Sequence, residues 1–150
     1  MNEFILSIKR IPSAGGYLVE LPRYATEGAA GMDLCACIDE STEIKPGEIR
    51  LIPAGISIEL PDGYGAFVFG RSGLGIKHGV SLANGVGVID SDYRGQIHVG
   101  LINRGGESYA VAPGERMAQL VIMPVMRALL REEELSGTER GAGGFGSTGR

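Results

Sequence analysis

The sequence is poor in the features that mark several large protein classes. Its two cysteines, Cys35 and Cys37, stand one residue apart, too close for an ordinary disulfide and unlike the usual zinc spacings. That usage points to a reducing compartment, and the expected location is cytoplasmic. No stretch approaches the ~18 apolar residues of a membrane span, and the opening MNEFILSIKR meets charge too early for a signal peptide. Positive charge is in deficit, since 14 Lys and Arg against 18 Asp and Glu give −4. A general nucleic-acid footprint and a polybasic membrane patch are thereby excluded, and any anionic ligand has to be met locally. Proline is limited to 7 residues and glycine follows no three-residue period, which excludes collagen.

Glycine is what the chain has in excess, at 25 of 150 residues, against a usual level of about 7%. Glycine weakens helix interiors, so a long helical bundle or coiled coil is excluded. The length suits one domain, and 43% apolar residues suffice for a core. Apolar residues alternate over short stretches, as in Ile56, Ile58 and Leu60 or Ile97, Val99 and Leu101, which is the period of strands. Further strands are expected in FILSIKR, MDLCACI, EIRLIP, GAFVFG, GVGVID, ESYAVA and MAQLVIMPV, separated by Pro-Gly, Pro-Asp-Gly and Arg-Gly-Gly punctuation. The expected fold class is all-β, a sandwich, barrel or jelly roll. One short helix is expected in RSGLGIKHG, capped by Ser72 and ended by Gly79. Cys35 and Cys37 read as small core residues on one strand face.

Two glycine motifs are false friends. GFGSTG at 144–149 matches a dinucleotide pattern but has no strand, turn and helix around it, and in GAGGFGS a serine stands where a P-loop needs lysine. What remains is physical: consecutive glycines can turn several N–H groups toward phosphate oxygens, with Ser147 and Thr148 adding hydroxyls and Arg140 a charge. From Arg127 onward a charged stretch leads into a tail in which six of the last fourteen residues are glycine. Such a tail is either a disordered end or an arm that orders over a ligand. The segment SLANGVGVIDSDYRGQIHVGLIN suggests a β-hairpin around SDYRG, with Asn84 at the entrance and Asp90 near the turn. Residue type alone leaves Asp90 open between a turn former and a carboxylate that orients a water.

Five separated segments, AAGMDLCA, GRSGLG, NGVGVIDSDYRG, GERMAQLV and RGAGGFGSTG, together resemble the homotrimeric dUTPases. The resemblance implies hydrolysis of dUTP to dUMP and pyrophosphate, which limits uracil in DNA and supplies dUMP for thymidylate synthesis. It implies a distorted, β-clip-like jelly-roll subunit and a homotrimer with an exchanged C-terminal segment. Residues 1–126 would be the core, and 127–150 a C-terminal strand and a mobile arm that closes over the site. The implied cofactor is Mg²⁺ held by the substrate phosphates and water, with no direct protein ligand and Asp33 near its water shell. By resemblance, Asp90 positions the attacking water and touches the sugar 3′-hydroxyl, while Tyr93 lies under the deoxyribose. Asn84, Val88, Ile89 and His98 correspond to the uracil pocket. Arg71, Ser72, Gly73 and Gln119 correspond to phosphate contacts, and Arg116 with Asp33 to a supporting charge pair. Phe145 would stack on uracil while Arg140, Gly146, Ser147 and Thr148 close over the phosphates. The implied partners are dUTP and further copies of the chain, with no nucleic acid and no membrane. The related dCTP deaminase branch would need a glutamate beside the pyrimidine, whereas this chain has Asp90 and Tyr93. Gly70 departs from the proline that ordinarily opens the second motif.

Overall fold

The computed structural model describes residues 4–144. Eleven strands and one helix are formed among them, in the order β1 Ser7–Arg10, β2 Met32–Cys35, β3 Thr42–Ile44, β4 Ile49–Pro53, β5 Ile56–Glu59, β6 Tyr64–Gly70, α1 Ser72–His78, β7 Val80–Leu82, β8 Gly87–Ile89, β9 His98–Asn103, β10 Tyr109–Val111 and β11 Arg116–Pro124. Every ladder is antiparallel. The strands form four small sheets, ordered β1-β5, β10-β3, β2-β11-β6-β8 and β4-β9-β7. They close on one apolar core, in which Leu34, Ile44, Ile52, Ile56, Leu101, Met117 and Leu120 are fully buried. The all-β expectation with one short helix is met.

Turn chemistry brings these short strands together. In Lys45–Glu48 and again in Ala112–Glu115 a Pro-Gly pair supplies the fixed φ and the positive φ of a type II turn, with Gly47 at 79° and Gly114 at 73°. In both turns the glutamate N–H donates to the carbonyl three residues back. Its carboxylate then accepts from that residue's N–H, at 2.9 Å from Lys45 and 2.9 Å from Ala112. The Ala112–Glu115 turn also ties Glu115 to the Tyr109 hydroxyl. Burial first, and that carboxylate second, push the Tyr109 phenol up to about 12.

Four expectations are corrected. Gly87–Ile89 and His98–Asn103 do not form a hairpin: β8 pairs with β6, whereas β9 pairs with β4 and β7 in a different sheet. The chain therefore crosses between sheets at 90–97, where Ile97 is clipped to Ile56 and Ala54 by main-chain bonds of 2.8 and 2.9 Å. Second, Ser72 is the first helical residue and not the cap. Arg71 occupies the cap position in an extended conformation and makes no side-chain cap bond, because a guanidinium has no acceptor to offer the helix N–H groups; it donates instead to Asp33 on β2 and to the Arg116 carbonyl on β11. Gly79 ends the helix in the left-handed region, as expected. Third, Cys35 is only half-buried, packing against the edge of the core. The alternation along β2 buries Met32 and Leu34 and turns Asp33 and Cys35 to the other face, while Cys37 lies in the core beyond the strand. Fourth, Ser57 is buried along with Ile56 and Ile58, so β5 is covered on both sides.

Residues 127–140 form no ladder within the chain, and Leu129, Leu130 and Leu135 are almost wholly exposed. No helix among the described residues is long and apolar enough to cross a membrane.

Candidate active site

The crossover between sheets creates the main concavity. A cleft of about 400 Å³ is walled on one side by Asn84 and by Gly87, Val88 and Ile89 of β8. Opposite them stand Gln96, Ile97 and the first residues of β9, and Asp90 and Tyr93 belong to the connection between the two walls. Six expected residues, Asn84, Val88, Ile89, Asp90, Tyr93 and His98, thus meet in one place. Leu51 joins them because β4 sets it opposite Gly100, and Val68 and Leu82 add apolar surface. These last contributors had no signal in the sequence except that Gly100 falls in the outward row of β9.

Hydrogen bonding shapes the cleft. Asp90 is exposed and lines the cleft, and its carbonyl accepts from Tyr93 N–H at 3.2 Å. The Tyr93 hydroxyl donates to the Gln96 carbonyl at 3.0 Å, and His98 Nδ1 lies 3.0 Å from the same oxygen. A carbonyl only accepts, so Nδ1 is the donor in this contact. The turn at Asn84 and Gly85 leaves backbone groups of β8 near the cleft, the chemistry needed to read a flat polar edge.

Arg71, Ser72, Gly73 and Gln119 are not part of this cleft. Ser72 and Gly73 open α1, while Arg71 and Gln119 stand near Asp33, whose carboxylate lies 3.3 Å from Arg71 Nε through one oxygen and 3.3 Å from Arg116 Nη1 through the other. Arg71 Nη1 also donates to the Arg116 carbonyl at 2.9 Å, and the register sets Gln119 opposite Asp33 and Phe69. The expected pair of Asp33 and Arg116 is therefore a triad with Arg71. Burial, and next the Asp33 carboxylate, push the Cys35 thiol up, while Arg116 and Arg71 pull it the other way. Cys35 is in this way a thiol kept protonated beside two guanidinium groups.

Arg140 is exposed and folded on itself, its Nε donating to the Gly143 carbonyl at 2.8 Å. Phe145, Gly146, Ser147 and Thr148 lie outside the described residues. No three His, Cys, Asp or Glu side chains gather as a metal-binding group among the described residues. Asp33 Oδ1, by contrast, is buried and accepts no hydrogen bond.

The site is a cleft in a small all-β domain that sets apolar side chains beside Asn84, Asp90, Tyr93 and His98. Comparison with known proteins gives its class. The family model for dUTPase matches residues 18–149, and the chain belongs to the dUTPase family, enzymes of nucleotide metabolism. It is 57% identical over 132 residues to the deoxyuridine 5′-triphosphate nucleotidohydrolase of Desulfitobacterium hafniense, a match covering 87% of each chain. Among solved structures it resembles the dUTPase of Staphylococcus bacteriophage 80alpha with dUpNHpp, at a TM-score of 0.85 and 26% identity, covering 97% of this chain and 99% of that one. The dUTPase of phage phi11 of S. aureus, described with a coordinated structural Mg(II) ion, shares the fold at a TM-score of 0.76 and 22% identity, covering 88% and 98% of the two chains.

Proposed function

We propose that this chain hydrolyses dUTP to dUMP and pyrophosphate, with the base and sugar in the cleft between β8 and β9. The carrying observation is that Asp90, whose carboxylate takes no hydrogen bond among the described residues, lines the same cleft as Tyr93 in the connection between its walls. Asp90 holds and polarises a water for in-line attack on the α-phosphorus, and Tyr93 forms the floor under the deoxyribose. Asn84 and the main chain of Val88 and Ile89 read the pyrimidine edge. Cytosine offers a donor where uracil offers an acceptor, and a buried mismatch of that kind is expensive.

The Arg71 cluster takes the phosphates. Because it lies apart from the cleft of its own chain, the reading requires a second copy to complete each site, and a homotrimer supplies one. The exposed apolar residues Ile49 and Leu51 on β4, and Leu129, Leu130 and Leu135 beyond β11, support self-association and passage of the C-terminal segment to a neighbour. The donor set fits a Mg²⁺ carried by the triphosphate: Asp33, already paired with Arg71 and Arg116, would meet only the water shell of an ion that keeps its waters and binds mainly to phosphate, and no cluster of three ligand side chains stands among the described residues. When bound, the ion neutralises charge building on the leaving pyrophosphate. The two unpaired cysteines support a reducing, cytoplasmic setting.

The test is pyrophosphate release by the purified chain given dUTP and Mg²⁺. Rapid release from dUTP with little from UTP is expected, whereas no release above background, or equal turnover of UTP, overturns the proposal. Deleting residues 140–150 removes the arm that closes over the phosphates. It is expected to lower kcat/KM for dUTP by about 10²-fold without lowering the unfolding midpoint. An unchanged kcat/KM in the truncated chain would remove the arm from the mechanism.

A further inference from the structure

We propose that Gly95 is a specificity-determining residue of the cleft: the space left by its missing side chain is where the Tyr93 ring rests, and that resting place lets the ring refuse a 2′-hydroxyl on the sugar. The inference deepens the proposed function and rests on its placement of Tyr93 under the deoxyribose.

Gly95 lies outside the left-handed region that would demand glycine on backbone grounds. Its requirement is one of contact. A methyl group added there would press on the Tyr93 hydroxyl and stand 2.5 Å from the ring carbon bearing it and 2.9 Å from Cε2. Carbon atoms at such distances repel strongly, and the Tyr93 ring supplies all three of the nearest obstacles. The tip of a side chain turns about two bonds, so relief comes from moving the ring.

The backbone around it is held from the other side. Arg94 Nη1 donates to the Ser91 carbonyl at 2.6 Å and to the Tyr93 carbonyl at 3.2 Å, and Nη2 lies 3.3 Å from the Glu59 carboxylate at the end of β5. Among the described residues the ring's one hydrogen bond is from its hydroxyl to the Gln96 carbonyl, which it shares with His98. A side chain at residue 95 pushes against that one attachment. Displaced, the ring loses its hold on Gln96, and the floor of the cleft no longer has the height that distinguishes two sugars differing by one oxygen.

The experiment measures kcat/KM for dUTP and for UTP, with Mg²⁺, in the parent chain and in Gly95→Ala, Tyr93→Phe, Tyr93→Ala and Gly95→Ala/Tyr93→Ala. Gly95→Ala is expected to lower the dUTP-over-UTP ratio about tenfold or more, with the unfolding midpoint within about 3 °C of the parent. Tyr93→Phe, which keeps the ring but frees it from Gln96, lowers the ratio by a smaller factor. In the Tyr93→Ala background the added Gly95→Ala change moves the ratio by less than about twofold, because the group it acts through is gone.

A Gly95→Ala ratio equal to the parent's overturns the proposal, as does an equal further loss in the Tyr93→Ala background. If the alanine variant does not fold, an unchanged ratio in Tyr93→Phe overturns the pinned ring on its own. A parent chain that fails to hydrolyse dUTP, or treats UTP alike, overturns the reading of the cleft. A discriminating parent with an unaltered Gly95→Ala ratio overturns only the role of Gly95.

Discussion

Replacement of Asp90 by asparagine is expected to lower kcat for dUTP by about 10² to 10⁴-fold, the range of a lost general base, while leaving KM within about threefold. The asymmetry follows from position. The Asp90 carbonyl, which both residues possess, closes the turn with Tyr93 N–H, so the connection keeps its shape. Asp90 lines the cleft from an exposed position, and asparagine keeps its size while losing the charge that draws a proton from water. Steady-state pyrophosphate release over a range of dUTP concentrations separates the two parameters. A kcat within tenfold of the parent would return Asp90 to the role of a turn former.

The second large effect is on stability. Asn103 is wholly buried at the end of β9 and serves three loops at once. Its amide nitrogen donates to the Ile44 carbonyl at 2.8 Å and the Glu107 carbonyl at 2.7 Å, and its amide oxygen accepts from Gly105 N–H at 2.8 Å. Its backbone also exchanges bonds with Gly47 and Glu48. Asn103→Ala leaves the buried Ile44 carbonyl and the half-buried Glu107 carbonyl and Gly105 N–H without this partner and empties a buried site, at a cost of about 3 kcal/mol. For a domain of this size that corresponds to a fall of about 10 °C in Tm. Asn103→Asp keeps the shape but turns two donors into acceptors facing carbonyls, so it should not rescue. Thermal unfolding followed by circular dichroism gives both numbers. A loss below about 1 kcal/mol in Asn103→Ala would mean that the loops find water or one another instead.

The sequence makes legible whatever is decided locally. Ile97, Val99 and Leu101 alternate because one face of β9 is buried, and the structure buries all three. The Pro-Gly pairs mark turns because their φ values are set by residue type. Thr42–Ile44 and Val80–Leu82 escape notice, being three residues long, too short to display a period. The absent hairpin fails for another reason: whether β8 and β9 pair with each other or with β6 and β4 depends on strands 20 to 50 residues away, and adjacency in sequence misleads. The place of Arg71 beside the expected Asp33–Arg116 pair is hidden in the same way, because Asp33 and the Arg116 carbonyl reach it across 38 and 45 residues. For the site, residue type alone offers Asn84 and Asp90, and the family resemblance adds Val88, Ile89, Tyr93 and His98, which as side chains would pass for ordinary strand residues. Leu51 and Gln96 contribute through register and a main-chain carbonyl, neither of which side-chain identity encodes.

The crossover from one sheet to another also sets a rule of counting. Ile89 is fixed by its ladder with Ala66, and His98 by its ladder with Pro53, so the intervening stretch is measured between two anchors that cannot slide independently. Strand side chains change face at every step. Adding or removing a single residue there would have to be absorbed by the loop, or else turn the row of Ile97, Val99 and Leu101 outward and His98 inward. Anyone transplanting this cleft to another scaffold must therefore copy the spacing of the crossover before its side chains.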